Sequence, residues 1–69
     1  MRLTRVNSLA LDAVGYEPGE RLLVVRFKSG ETYEYLDVDR SLFEALVTAA
    51  HPWTEYGELV KSHRYRHVG

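Results

Sequence analysis

The 69-residue sequence has no cysteine. That absence removes disulfides and thiolate metal sites together, so stability must come from apolar packing. No apolar run approaches the roughly 20 residues that cross a bilayer, and Met1-Arg2-Leu3-Thr4-Arg5 lacks the apolar stretch of a signal peptide. A cytoplasmic location is therefore expected, and the lack of cysteine suits it. There is no repeat, low-complexity segment, linker or glycine-rich phosphate loop. The length leaves room for one domain, residues 1–69, which buries only about 60% of the surface its unfolded chain exposes. Hydrophobic residues make up 45% of the chain, enough for a packed core.

Charge is nearly balanced, at −1 overall, but it is segregated. All ten acidic residues lie between Asp12 and Glu58. Only Arg21, Arg26, Lys28 and Arg40 accompany them, a balance of −6. The ends carry Arg2, Arg5, Lys61, Arg64 and Arg66 without an acid, a balance of +5, and His63 and His67 fall in the same C-terminal stretch. If the ends meet in the fold, one pole of the surface is basic.

Residues 8–16 read as a first strand, although the alternation of Leu9, Leu11 and Ala13 with Ala10, Asp12 and Val14 leaves its buried face open. Glu17-Pro18-Gly19-Glu20 reads as a turn, with proline setting φ and glycine accepting a positive φ after it. Arg21 to Phe27, rich in leucine and valine, is the strongest strand. Lys28-Ser29-Gly30 is a three-residue hairpin loop with Gly30 at the left-handed position, and Glu31 to Leu36 returns. This loop pairs Phe27 with Glu31, Val25 with Tyr33 and Leu23 with Tyr35. Opposed residues share a face, so Leu23, Val25, Tyr33 and Tyr35 form an apolar and aromatic core side. Leu22, Val24, Arg26, Thr32 and Glu34 form the other, and Arg26, Thr32, Glu34 and the basic tail become the surfaces offered to a partner.

Asp37 or Asp39 caps a helix whose stripe is Leu42, Phe43, Leu46, Val47 and Ala50. His51-Pro52-Trp53 ends it. Thr54 is the expected cap of a second helix of about nine residues, with Trp53, Tyr56, Leu59, Val60 and His63 as its stripe. Gly57 inside it costs roughly 1 kcal/mol relative to alanine. Arg64-Tyr65-Arg66-His67-Val68 alternates basic with apolar or aromatic residues and adds either an edge strand or an arm. The expected fold is α+β: a three-stranded antiparallel meander, with a fourth edge strand as an option at the C-terminus, and two helices packed on one face.

The order Leu23-x-Val25-x-Phe27, Ser29-Gly30, Tyr33-x-Tyr35 and then an amphipathic helix resembles the KTSC domain family. That family is named for the C-terminal domain of some lysyl-tRNA synthetases and also occurs as free-standing small bacterial proteins. Ser8, Val14-Gly15-Tyr16 and Tyr65 extend the likeness to about residues 6–68. The stretch His51-Pro52-Trp53-Thr54-Glu55-Tyr56-Gly57 departs from the family's small Ser/Gly segment followed by aromatic residues and asparagine. The resemblance implies the fold above. Its association with a synthetase implies RNA as a partner.

Two readings compete for each candidate residue. Tyr33 and Tyr35 are a stacking platform for unpaired bases or, as the register favours, core. Arg2, Arg5, Lys61, Arg64 and Arg66, with Tyr65 and His67 interleaved, follow a phosphate backbone or are ordinary solvated ends. His63 and His67 have the four-residue spacing of helical metal ligands, but nothing supplies a third, and neither a metal site nor a cofactor is expected. His51 suits a helix C-terminus through the dipole. Trp53 is an anchor for a partner or closes the corner between the helices over the core. Asp37 and Asp39 read as capping residues rather than an acid–base pair, and the serines have no histidine at a triad spacing. The expected function is that of a small binding module, not an enzyme. RNA held by a basic surface at the chain ends is the first expectation. A protein-interaction, adaptor or homodimerisation module is the alternative.

Overall fold

The computed structural model describes residues 2–69. Five strands and two helices follow in the order β1 (Thr4–Arg5), β2 (Leu11–Glu17), β3 (Leu22–Phe27), β4 (Thr32–Tyr35), α1 (Arg40–Thr48), α2 (Pro52–Lys61) and β5 (Tyr65–His67). The strands form one antiparallel sheet in sequence order, β1-β2-β3-β4-β5. The architecture is α+β, with two strands more than the expected meander. The C-terminal edge strand forms, as the alternation of Tyr65, Arg66 and His67 suggested. The N-terminal strand is two exposed residues with no pattern to read.

The central hairpin has the expected register, with Val25 opposite Tyr33 and Leu23 opposite Tyr35. Phe27 N–H donates to Glu31 O at 2.8 Å, and Gly30 takes φ +100° and donates to Phe27 O at 2.9 Å. An L side chain at that φ would crowd the backbone, which is why the loop closes on glycine.

The opening strand corrects the sequence reading in two ways. It starts at Leu11, because Ser8 Oγ accepts from the N–H groups of Ala10 and Leu11, both at 3.1 Å, and holds a turn there. It also carries a bulge. Leu11 opposes Phe27 while Ala13 opposes Arg26, so Asp12 is the extra residue. The bulge puts Leu11 and Val14, three apart, on the same inner face. The alternation was unreadable because its phase changes at Asp12.

The following turn is displaced as well. Gly19 does not take the positive φ; Arg21 does, at +53°, and its N–H reaches Pro18 O at 3.4 Å. Asp37 is the second left-handed residue, at φ +56°.

Both helices cover the inner face. Leu11, Val14, Leu23, Val25 and Tyr35 pack there with Val38, Leu42, Leu46 and Val60. Tyr16 stacks on Phe43, with ring centroids 5.6 Å apart, and donates its hydroxyl to Val38 O at 2.6 Å. Leu22 and Val24, assigned to the outer face, are nearly covered too. They lie on the central strand with two strands on either side.

Asp39 is the N-cap of α1, accepting from Ser41 N–H at 3.1 Å and from the Ser41 hydroxyl. α1 ends at Thr48, so Ala50 falls outside the stripe and is exposed. α2 begins at Pro52, earlier than a Thr54 cap would allow. Proline at the first helical position loses a donor that has no helical partner anyway. His51 is the N-cap residue rather than a helix C-terminus. Its N–H donates to Glu55 Oε2 at 3.2 Å, so a carboxylate one turn on satisfies a donor at the helix start. Leu59, placed in the buried stripe, is 54% exposed; Val60 carries the packing.

Candidate functional site

The helices cover the middle of the sheet and leave its β4–β5 end open. Register decides what stands there. Tyr33 opposes His67 and Tyr35 opposes Tyr65, so all four rings lie on the inner face. Tyr35, nearer the core, is 4% exposed, whereas Tyr65 on the edge strand is 60% exposed. His67 stacks on Tyr33 with centroids 4.6 Å apart and planes 18° from parallel, and its Nε2 contacts Gly69 O at 2.9 Å. Tyr65 lies 5.7 Å from Tyr33 and 6.0 Å from Tyr35.

α2 supplies the opposite wall. Trp53 meets Phe27 edge-on at 5.2 Å, and Phe27 in turn meets Tyr33 edge-on at 5.7 Å. Lys61 Nζ lies 5.8 Å from the Trp53 ring centroid, a cation–π contact at the rim. Between these walls lies a cleft of about 410 Å³. Phe27, Tyr33, Tyr35, Trp53 and Tyr65 line it, and Ser29, Glu31 and Lys61 stand at its rim. One carboxylate and one ammonium leave the rim electrically neutral. A smaller hollow of about 100 Å³ is lined by Ser8, Leu9, Ala10, His51, Trp53 and Thr54.

Burial first, and then the neighbouring phenols of Tyr33 and Tyr65, push the Tyr35 hydroxyl above the ordinary tyrosine value of 10.0. Tyr35 therefore stays neutral across the physiological range, as a wall of an apolar cleft requires.

The predicted site residues divide among three places. Lys61, Tyr65 and His67 are at the cleft end of the sheet with Tyr33 and Tyr35. Arg66 falls on the outer face, opposite Glu34, and its guanidinium binds the Glu34 carboxylate at 2.7 Å. Arg64 is exposed beside β5. Arg5 is in β1, at the far edge of the sheet, and Arg2 precedes it. Four strand spacings, about 19 Å, separate those edges, so the two basic ends do not form one surface. Each end strand pairs with its neighbour in sequence, which sends the termini in opposite directions.

The outward residues Arg26 and Glu34 are engaged as well: Arg26 Nε donates to Asp12 Oδ2 at 2.9 Å. His63 lies in the bend after α2 and His67 in β5, and His63 Nδ1 contacts Leu59 O at 2.9 Å, so the helical ligand spacing is not realised. Phe27 is the aromatic cleft residue that sequence reasoning did not single out, whereas Trp53 was weighed as a partner anchor. The hairpin register could have found Phe27, which it places two residues beyond Val25 on the inner face.

Comparison with known proteins agrees with this architecture. The profile of the KTSC domain matches residues 7–66. A protein of Stutzerimonas stutzeri is 30% identical over 67 residues, covering 97% of this chain and 94% of that one. A protein of Tsukamurella paurometabola is 43% identical over 44 residues, covering 64% of this chain and 66% of its own length. The crystal structure of a KTSC domain protein from Yersinia pestis superposes with a TM-score of 0.87 at 26% identity, over 99% of this chain and 97% of that one.

Proposed function

This chain belongs to the KTSC domain family, and we propose that it is a non-catalytic protein-interaction module that docks a partner peptide in the aromatic cleft between α2 and the β4–β5 end of the sheet. One observation carries the reading. Five aromatic side chains wall an open cleft of about 410 Å³ where the inner face of the sheet has no helix over it. Tyrosine and tryptophan dominate interaction hot spots because they give up much apolar area for few rotors. The cleft is also within the volume range of ligand sites.

Electrostatics favours a peptide over a nucleic acid. A phosphate backbone needs several cations along one track. Lys61 is the one cation among the cleft residues, and Glu31 stands at the same rim. The serine there, Ser29, has no histidine among the lining residues to act as its base.

Selection from a displayed random-peptide library, followed by titration of ¹⁵N-labelled protein, tests the proposal. Selected peptides are expected to shift the Tyr33, Trp53 and Tyr65 resonances saturably and to bind Tyr65→Ala at least tenfold more weakly. If no peptide is enriched on the wild type over Tyr65→Ala, the proposal fails. It fails equally if a short oligouridylate moves the same resonances in a salt-dependent way. That second outcome would favour RNA, stacked on the open faces of Tyr65 and His67.

A further inference from the structure

We propose that β5 is a docking edge. It accepts an extended peptide as a sixth strand, with an acidic residue opposite Arg66 flanked by apolar or aromatic residues over the cleft. This rests on the peptide-binding reading and supplies its partner chemistry and mode.

The backbone of β5 dictates the edge. Leu36 N–H donates to Arg64 O at 2.8 Å and Val68 N–H donates to Thr32 O at 2.9 Å, so Arg64 and Val68 turn their backbone groups toward β4. Antiparallel pairing alternates residue by residue. Arg66, opposite Glu34, therefore also faces β4, and the N–H and C=O groups of Tyr65 and His67 point away from the sheet. These four groups form a ready template for another strand. Edges are blunted by shortness, charge, proline or a bulge; β5 is short and carries Arg66, but Tyr65–His67 contains no lysine, proline or bulge, and the charge of Arg66 is held by Glu34.

Side-chain alternation then specifies the guest. Residues opposite Tyr65 and His67 would share their face, extending the aromatic surface beside the cleft. The residue between them would share the outer face with Arg66. Arg66 is already bound to Glu34, but Arg64 forms no ion pair among the described residues, so this edge has unneutralised positive charge. An acidic residue complements it.

A second copy is the less suitable guest. Two β5 strands paired about a two-fold axis would set Arg66 against Arg66, and three residues per strand bury far less than the roughly 1,200 Å² of a stable dimer.

The probes are two synthetic heptapeptides rich in threonine. One carries a glutamate between two phenylalanines, and the other replaces that glutamate with lysine. His67→Pro removes an outward N–H that the β4 ladder does not use, and His67→Ala removes the ring but keeps the N–H. The glutamate peptide is expected to bind His67→Ala more weakly than wild type, through loss of the ring, and His67→Pro at least tenfold more weakly than His67→Ala, through loss of the N–H. The lysine peptide should bind wild type at least fivefold more weakly than the glutamate peptide. Amide exchange at Tyr65 and His67 in the wild type should slow at least tenfold on binding, a readout that stands even if His67→Pro does not fold.

Equal binding by His67→Pro and His67→Ala, unchanged exchange, or equal affinity for the two peptides would overturn the docking edge. If Trp53 and Tyr33 shift while the Tyr65 and His67 amides do not, the edge proposal falls and the cleft reading stands. Concentration-dependent doubling of mass without peptide, with the β5 amides broadened, would instead make a second copy the occupant and overturn the proposal.

Discussion

Gly57 lies directly beneath the indole of Trp53: a β-carbon on Gly57 would stand 3.1 Å from Trp53 Cδ2 and 3.2 Å from Cε2. Phe27 also contacts the ring, edge-on at 5.2 Å. In an open helix, Gly→Ala gains about 1 kcal/mol. Here Gly57→Ala is expected to gain none of it, because the indole must move by a few tenths of an ångström. Urea unfolding and the tryptophan emission maximum check this. A gain of about 1 kcal/mol with unchanged emission would mean that the ring yields freely.

Leu46 is fully buried in the cluster that joins α1 to the sheet. Leu46→Ala should cost about 2–5 kcal/mol. A domain of this size has a total stability of only about 3–10 kcal/mol, so the variant should be substantially unfolded at 37 °C by circular dichroism. A loss under about 1 kcal/mol would show that the core collapses into the gap.

The Asp39 cap carries an acid dependence. The Ser41 hydroxyl and then the Ser41 N–H, with Arg21 nearby, hold its carboxyl below the ordinary value of 3.8. The folded value lies below the unfolded one, so the stabilisation is present above about pH 4 and is lost as pH falls through the folded value. Asp39→Ala should therefore be less stable than wild type at pH 7, and the gap should close toward pH 2. Denaturant midpoints measured across that range decide it; a gap that stays constant would show that the ionised carboxylate is not the source.

Tyr35 carries the opposite dependence. Its folded value lies above 10.0. Its contribution is present below pH 10 and declines as pH rises toward the folded value, because the unfolded chain loses the proton first. The alkaline fall in wild-type stability should be shallower in Tyr35→Phe. Identical slopes for the two proteins would place the cause elsewhere.

The parts of the fold legible in the sequence are those where one local rule acts alone. The Lys28-Ser29-Gly30 loop fixed the β3–β4 register, and register fixed which faces Leu23, Val25, Tyr33 and Tyr35 share. Features that depend on two segments meeting were not legible. Thr4 and Arg5 form a strand only because β2 lies beside them. Arg21 takes a left-handed φ that its side chain does not favour, while Gly19, two residues earlier, does not. The candidate site shows the same division. Tyr33, Tyr35, Tyr65, His67 and Lys61 stood out as residues, but their convergence with Trp53 and Phe27 depends on where α2 stops covering the sheet. The segregated charge of the ends suggested a basic pole, yet strand order carries those ends to opposite edges.

The bulge in β2 sets a constraint of register. Asp12 is the residue that lets both Leu11 and Val14 point inward. Exchanging its side chain would cost the half-exposed ion pair with Arg26 and little more. Deleting the residue would remove the bulge yet leave Leu11 opposite Phe27 and two places from Val14, still facing inward; pairing the strand straight through with Asp12 retained would instead turn Leu11, now fully buried, toward solvent, at about 1.5–3 kcal/mol for that side chain alone. At this point in the chain the register of pairing matters more than the identity of Asp12, and loss of the bulge without loss of a residue would be read as a change of face.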